Sequence, residues 1–175
     1  TSVKMQFFKS FILPHFDYCS GIVLFFNKKQ LLSIEKFFNL CIYRLFNLRL
    51  FSLSIFEKKK SLEKFNLLPI KMRYFFKLNL IVYKILNQSY LKNFYNKICF
   101  IERDYTRINS NQEIVKVLEV KSNLGRSSIS YFIPIFINHI VKHSFNLNLS
   151  DFKISTYANM NILYNIFVSK FSQFS

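Results

Sequence analysis

The sequence predicts a mainly α-helical protein, a helical bundle with a small extended β element in its C-terminal half. Three observations carry this. Apolar residues recur at steps of three and four at Leu31, Ile34, Phe38, Cys41, Ile42 and Leu45, the stripe of an amphipathic helix. A second stripe, Met72, Phe75, Phe76, Leu80, Tyr83 and Leu86, follows Pro69, a residue suited to the first position of a helix. Residues 114–120 are instead rich in β-branched side chains and read as a strand.

Taken in order, residues 7–13 form an apolar run that encloses Lys9 and is expected to stop at Pro14. Asp17 looks like the start of the next helix, with apolar residues from Tyr18 to Phe26. The helix over 30–47 sets Lys36, Asn39, Tyr43 and Asn47 away from its apolar stripe. Residues 50–56 are short and ambiguous in pattern, and 57–65 reads as a basic helical turn region. The helix opened by Pro69 runs to about Asn87, with Arg73, Lys77 and Lys84 on one face at steps of four and seven. A short helix follows over 90–98. The polar run 102–113 reads as a connector. In 122–128 Gly125 is the hinge of a turn. Ser127 or Ser128 is placed to cap a short helix that Pro134 kinks or breaks, and Ser150 or Asp151 to cap a last one. The chain thus divides into a basic helical part at 1–98, a connector at 99–113, and a strand with helices at 114–175.

Composition narrows the function. Of 175 residues 51% are apolar, including 23 Phe and 10 Tyr, enough buried surface to offset chain entropy, so disorder is not expected. The surplus of aromatic surface suggests a face that packs on something else. Two glycines cannot build a Gly-rich phosphate loop, which excludes dinucleotide and P-loop enzymes. Cys19, Cys41 and Cys99 are odd in number and unclustered, which argues for a reducing compartment, cytoplasmic or nuclear. Lys4 and Lys9 interrupt the apolar N-terminus and no small-residue cleavage site follows, so no signal peptide is read. Thr at position 1 fits a fragment of a longer chain. Residues 154–169, with three asparagines, and 127–141, with Pro134, are too short or too polar to span a membrane.

Lys and Arg number 25 against 9 Asp and Glu, a net charge of +16 that excludes an acidic binding module. Residues 28–97 hold +12 of it. Lys28, Lys29, Lys36 and Arg44 lie on or just before one helix, and Arg73, Lys77 and Lys84 on another. This pattern suits the tracking of a phosphate backbone, because each neutralised phosphate releases counterions. Tyr43 and Tyr74, near those cations, are candidates to stack on bases. Lys outnumbers Arg 19 to 6, which favours backbone attraction over bidentate base reading. A solvated lysine-rich face has the same composition. The turn with Arg126 is either a phosphate site at free N–H groups or a plain capped turn. His139 with His143, and His15 with Cys19, are spaced by four, but no second pair completes a metal site. Asp17, Asp104 and Asp151 are isolated, so no carboxylate pair is present for two magnesium ions, and no active site is expected in the chain.

Six motifs occur in a familiar order. They are Leu13-Pro-His-Phe-Asp-Tyr-Cys-Ser20; Ile34-Glu-Lys-Phe-Phe-Asn39; Leu67-Leu-Pro-Ile-Lys-Met-Arg73 followed by Tyr83-Lys-Ile-Leu-Asn87; Tyr105-Thr-Arg107; Ser122-Asn-Leu-Gly-Arg-Ser-Ser-Ile-Ser-Tyr131; and Leu149-Ser-Asp-Phe-Lys153. From about Val3 to Tyr157 the chain resembles the region downstream of the polymerase palm in reverse transcriptases of non-LTR retrotransposons, of the jockey-like or LINE-like kind. It departs from that family in having no Trp, with Ile137-Asn138 where a Trp-Asn is usual, and Leu40 in place of an Arg. The resemblance implies a non-catalytic, thumb-like piece of an RNA-directed DNA polymerase. The palm lies upstream and outside the chain, so magnesium is implied only for that missing part and no cofactor for this one. The implied partners are an RNA template or RNA/DNA duplex and the remainder of the reverse transcriptase polyprotein, with no membrane. Arg107 and Arg126 join the candidate nucleic-acid cations. Two alternatives stand beside this: a protein-interaction module docking on the rest of the polyprotein, and a non-functional relic of a decayed element.

Overall fold

The helical periods of the sequence are realised in space. A computed structural model of the chain describes residues 2–18, 20–87, 133–134, 137–138 and 149–170. Every regular element among them is helical, so the protein is mainly α. The expected helix over 90–98, connector, strand over 114–120 and turn over 122–128 lie outside the described residues. The chain forms two units, Thr1–Lys77 with Val168–Ser175, and Leu78–Phe167.

In the first unit, α1 (Ser2–Phe7) passes into a π-helical turn, Phe8–Ile12, and then α2 (Leu13–Asp17). The expected stop at Pro14 does not occur. The Leu13 N–H reaches back to the Phe8 carbonyl in the wider turn, and Pro14 then falls in the first turn of α2, where no N–H is needed. Asp17 accordingly ends a helix rather than starting one. Tyr18 turns extended, with its N–H on the Pro14 carbonyl at 2.9 Å, and a 3-10 helix, Ser20–Phe25, follows.

α3 (Lys28–Phe46) begins with a reciprocal cap. Asn27 accepts from the Gln30 N–H at 2.9 Å, and the Gln30 side chain accepts from the Asn27 N–H at 2.8 Å. It ends at Asn47, whose φ of 54° is left-handed and whose N–H returns to the Tyr43 carbonyl. Asn tolerates that conformation where most residues do not. α4 (Ile55–Glu63) opens with the same kind of box, Ser54 with Glu57. It closes through left-handed Asn66, after which the Leu67 N–H bonds the Leu62 carbonyl at 3.2 Å and both leucines are buried. α5 is Ile70–Asn87, with Pro69 immediately ahead of it accepting from the Arg73 N–H.

The α3 stripe packs as the spacing predicts, with Leu31, Phe38 and Ile42 buried and Ile34, Cys41 and Leu45 partly so. Asn39 is a correction: it is 4% exposed, on the inner side of the helix rather than the polar one. Phe38 is the centre of the packing, with Phe8 edge-on at 6.1 Å and Phe16 edge-on at 5.3 Å. Phe8 also meets Phe46, which meets Phe65. Edge-to-face rings are attractive beyond their area, so this chain of contacts ties α2 and the π turn to α3 and the end of α4.

In the second unit Leu78, Val82 and Tyr83 of α5 are buried, and Tyr83 packs on Phe152 of α6 (Leu149–Ala158) at 4.4 Å. α6 begins at Leu149, earlier than a cap at Ser150 or Asp151 requires, and Asp151 sits in its first turn, where a carboxylate suits the helix dipole. Asn159 is a one-residue break before α7 (Met160–Lys170). Its N–H and side-chain amide both donate to the Ser155 carbonyl, and its own carbonyl accepts from the Leu163 N–H. No described helix is long and apolar enough to cross a membrane.

Phe38→Ala should lower the unfolding free energy by about 3–5 kcal/mol, the usual loss for a fully buried aromatic. Denaturant titration followed by circular dichroism checks this; an unmoved midpoint would remove Phe38 from the centre of the core.

Candidate nucleic-acid interface

The nine candidate cations fall into three groups. Lys28, Lys29, Lys36 and Arg44 are exposed on α3 and make no ion pair among the described residues. Lys29 and Lys36 are seven residues apart and Arg44 eight beyond. They therefore form a shallow spiral along one side of the helix, at intervals of about 10–12 Å. Lys84 is exposed on the second unit's part of α5. Arg107 and Arg126 lie outside the described residues.

Arg73 and Lys77 behave otherwise. The Arg73 guanidinium grips Asp17 with both arms, Nε to Oδ1 at 2.6 Å and a terminal nitrogen to Oδ2 at 2.5 Å. Lys77 Nζ lies 3.4 Å from the same Oδ2. Burial of Asp17 works to raise its pKa, but the Arg73 hydrogen bonds and charge, with Lys77 behind them, outweigh it and hold the carboxyl below its ordinary 3.8. The two cations read as phosphate contacts thus share one carboxylate, 56 residues before Arg73 in the chain. Tyr74 is also corrected. It is 5% exposed, so its ring is not presented on an open face beside the cations. Burial, with the Asp17 charge, pushes its hydroxyl up to about 12. Tyr43 is half-buried.

A second carboxylate does similar work. Glu35 on α3 receives Lys58 of α4 at 2.5 Å and Lys71 of α5 at 3.8 Å, all three side chains being about nine-tenths covered. Desolvation lowers the Lys71 pKa, the Lys58 and Lys28 charges add to that, and Glu35 opposes it. No expectation from the sequence anticipated either clamp.

Beside the cation spiral runs an apolar groove of about 770 Å³. Phe11, His15 and Tyr18 from the N-terminal helices, Phe37 and Cys41 of α3, and Tyr74 of α5 are among the residues that line it. The groove's rim is aromatic and open: Phe11 is 64% exposed, Phe37 60% and Tyr18 82%. Burial raises the pKa of the partly covered Cys41 thiol. The aromatic surplus in the composition was the one sequence signal of this feature. His15 is exposed; His139, His143 and Cys19 lie outside the described residues, and among those described no three His, Cys, Asp or Glu gather as metal ligands. No family model, curated protein or solved structure matches the chain.

The Asp17 clamp has a defined pH dependence. A folded-state pKa below the unfolded 3.8 means that the unfolded chain binds the proton more readily. The clamp's stabilisation is therefore present above about pH 3.8 and is lost as pH falls below it. Asp17→Asn should lower stability at neutral pH by about 1.5–3 kcal/mol and make the midpoint less sensitive to acid. An Asp17→Asn protein with the parent's acid profile would contradict the assignment.

Proposed function

We propose that the chain is the non-catalytic, carboxyl-terminal part of a retrotransposon RNA-directed DNA polymerase, and that it holds a nucleic-acid backbone through the outer side of α3. The ordered motifs from Leu13 to Lys153 support the parentage. The observation that carries the binding role is the difference between the cations. Asp17 and Glu35 each pair with two cations, Arg73 with Lys77 and Lys58 with Lys71, whereas Lys28, Lys29, Lys36 and Arg44 are exposed on one helix with no ion pair among the described residues. Four exposed charges on one helix attract a polyanion by counterion release, a force that is long-ranged, indifferent to base sequence and screened by salt. The polymerase chemistry belongs to a palm outside this chain, and the role here is to grip.

Binding of mixed-sequence oligonucleotide should weaken steeply and linearly on a log–log plot against salt. Lys29→Ala, Lys36→Ala and Arg44→Ala should each reduce the slope by about 0.7–0.9, the value of one phosphate contact. Lys77→Ala should reduce the slope less than these do, since its ammonium is paired with Asp17. Absence of binding at about 50 mM salt would end this reading.

A further inference from the structure

The geometry points to single-stranded nucleic acid, with unpaired bases seated in the aromatic groove, as what the α3 surface holds; this rests on the nucleic-acid reading above. The groove and the cations share one helix. Phe37 follows Lys36 directly, and Arg44 lies two turns further on the same side, while Lys29 lies about two turns before. A ligand that follows the spiral of charge therefore passes the groove that Phe37 and Phe11 line. It must be anionic to satisfy three exposed cations, and it must carry flat apolar faces to cover aromatic rings that are more than half exposed. Single-stranded nucleic acid has both properties in alternation along one chain: phosphates for the lysines and arginine, and base faces for the rings. A duplex has the phosphates alone, because its base faces are already stacked on one another. The cavity volume lies within the range that encloses small aromatic ligands, and His15 and Ser33 bring polar groups to a largely apolar lining.

The absence of tryptophan from the chain makes the test direct. Phe37→Trp places a single indole on the rim without removing the aromatic face. Addition of a single-stranded oligonucleotide of about 16 nucleotides to the full chain should quench that indole, and a hairpin duplex of matching length should bind more weakly and quench little. Phe37→Ala should weaken single-strand binding by about 5- to 100-fold, the effect of losing one stacked base, with duplex binding unchanged and the circular dichroism spectrum retained. Single strands that bind without quenching, or a Phe37→Ala protein that binds single strands as well as its parent, would overturn the proposal and leave the groove to a protein partner, while the backbone contact itself survives. If neither single strand nor duplex binds at low salt, the nucleic-acid reading fails and this inference falls with it.

Discussion

Two covered carboxylates decide how this chain folds. Residues 1–77 carry fourteen Lys and Arg against four Asp and Glu. Two of the four acids are spent locally or in solvent: Glu57 closes a helix cap and Glu63 is exposed. Asp17 and Glu35 remain to neutralise cations that the helices turn inward. Lys58 and Lys71 are nearly buried, and an ammonium taken from water without a counter-charge costs several kcal/mol. Glu35 between them lets α4 and the start of α5 lie against α3, and Asp17 does the same for α2 and α5. Such clamps need not exceed an apolar contact in net stability, but removing one partner leaves stranded charge, and that asymmetry fixes which helix faces meet.

The same constraint sorts the surface. A chain this basic repels itself, and the fold has carboxylates enough for only part of the excess. Cations beside Asp17 and Glu35 become structural, Lys28 lies close enough to that cluster to act on Lys71, and Lys29, Lys36 and Arg44 on α3 remain exposed, as do Lys4, Lys9, Arg49, Lys60 and Lys64 elsewhere. Spacing alone does not separate the classes. Arg73 and Lys77 stand four apart on a helix and Lys29 and Lys36 seven apart, and each pattern reads as a charged face. The difference lies in a contact across 56 residues of sequence, which no local window contains.

What was legible follows from range. The α3 and α5 helices were visible because apolar periodicity is a local signal, and Leu31, Phe38 and Ile42 are buried as that period requires. Both cap boxes stood in the sequence as Asn27 with Gln30 and Ser54 with Glu57, residue types that make helix starts readable once the pattern is sought. Pro14 does not end the helix as an α-helical pattern predicts, because the π turn ahead of it accommodates the ring. Asn39 and Tyr74 are buried although each carries a polar group. Each sits where a neighbouring helix covers the arc that a lone helix would show to water. With two glycines in the whole chain, left-handed helix ends fell to Asn47 and Asn66. Asparagine at such sites is a weaker punctuation mark than glycine.

The aromatic groove follows from the same economy of contacts. Phe8, Phe16, Phe38, Phe46 and Phe65 touch ring to ring and fill the first unit. Phe11 and Phe37 remain largely outside it. Leaving them in water costs the fold little, since they are exposed before and after folding and only a change in exposure enters the balance. Folding therefore does not select for these rings, and whatever they contribute must come when something covers them. Their neighbours on α3 are cations, so charge attraction and ring coverage act on one ligand but respond oppositely to the solution. Added salt screens the first, and strongly hydrated anions such as sulfate strengthen the second. A surface that combines both holds its ligand over a wider range of conditions than either alone, and the two contributions can be told apart by the kind of salt as well as by its amount.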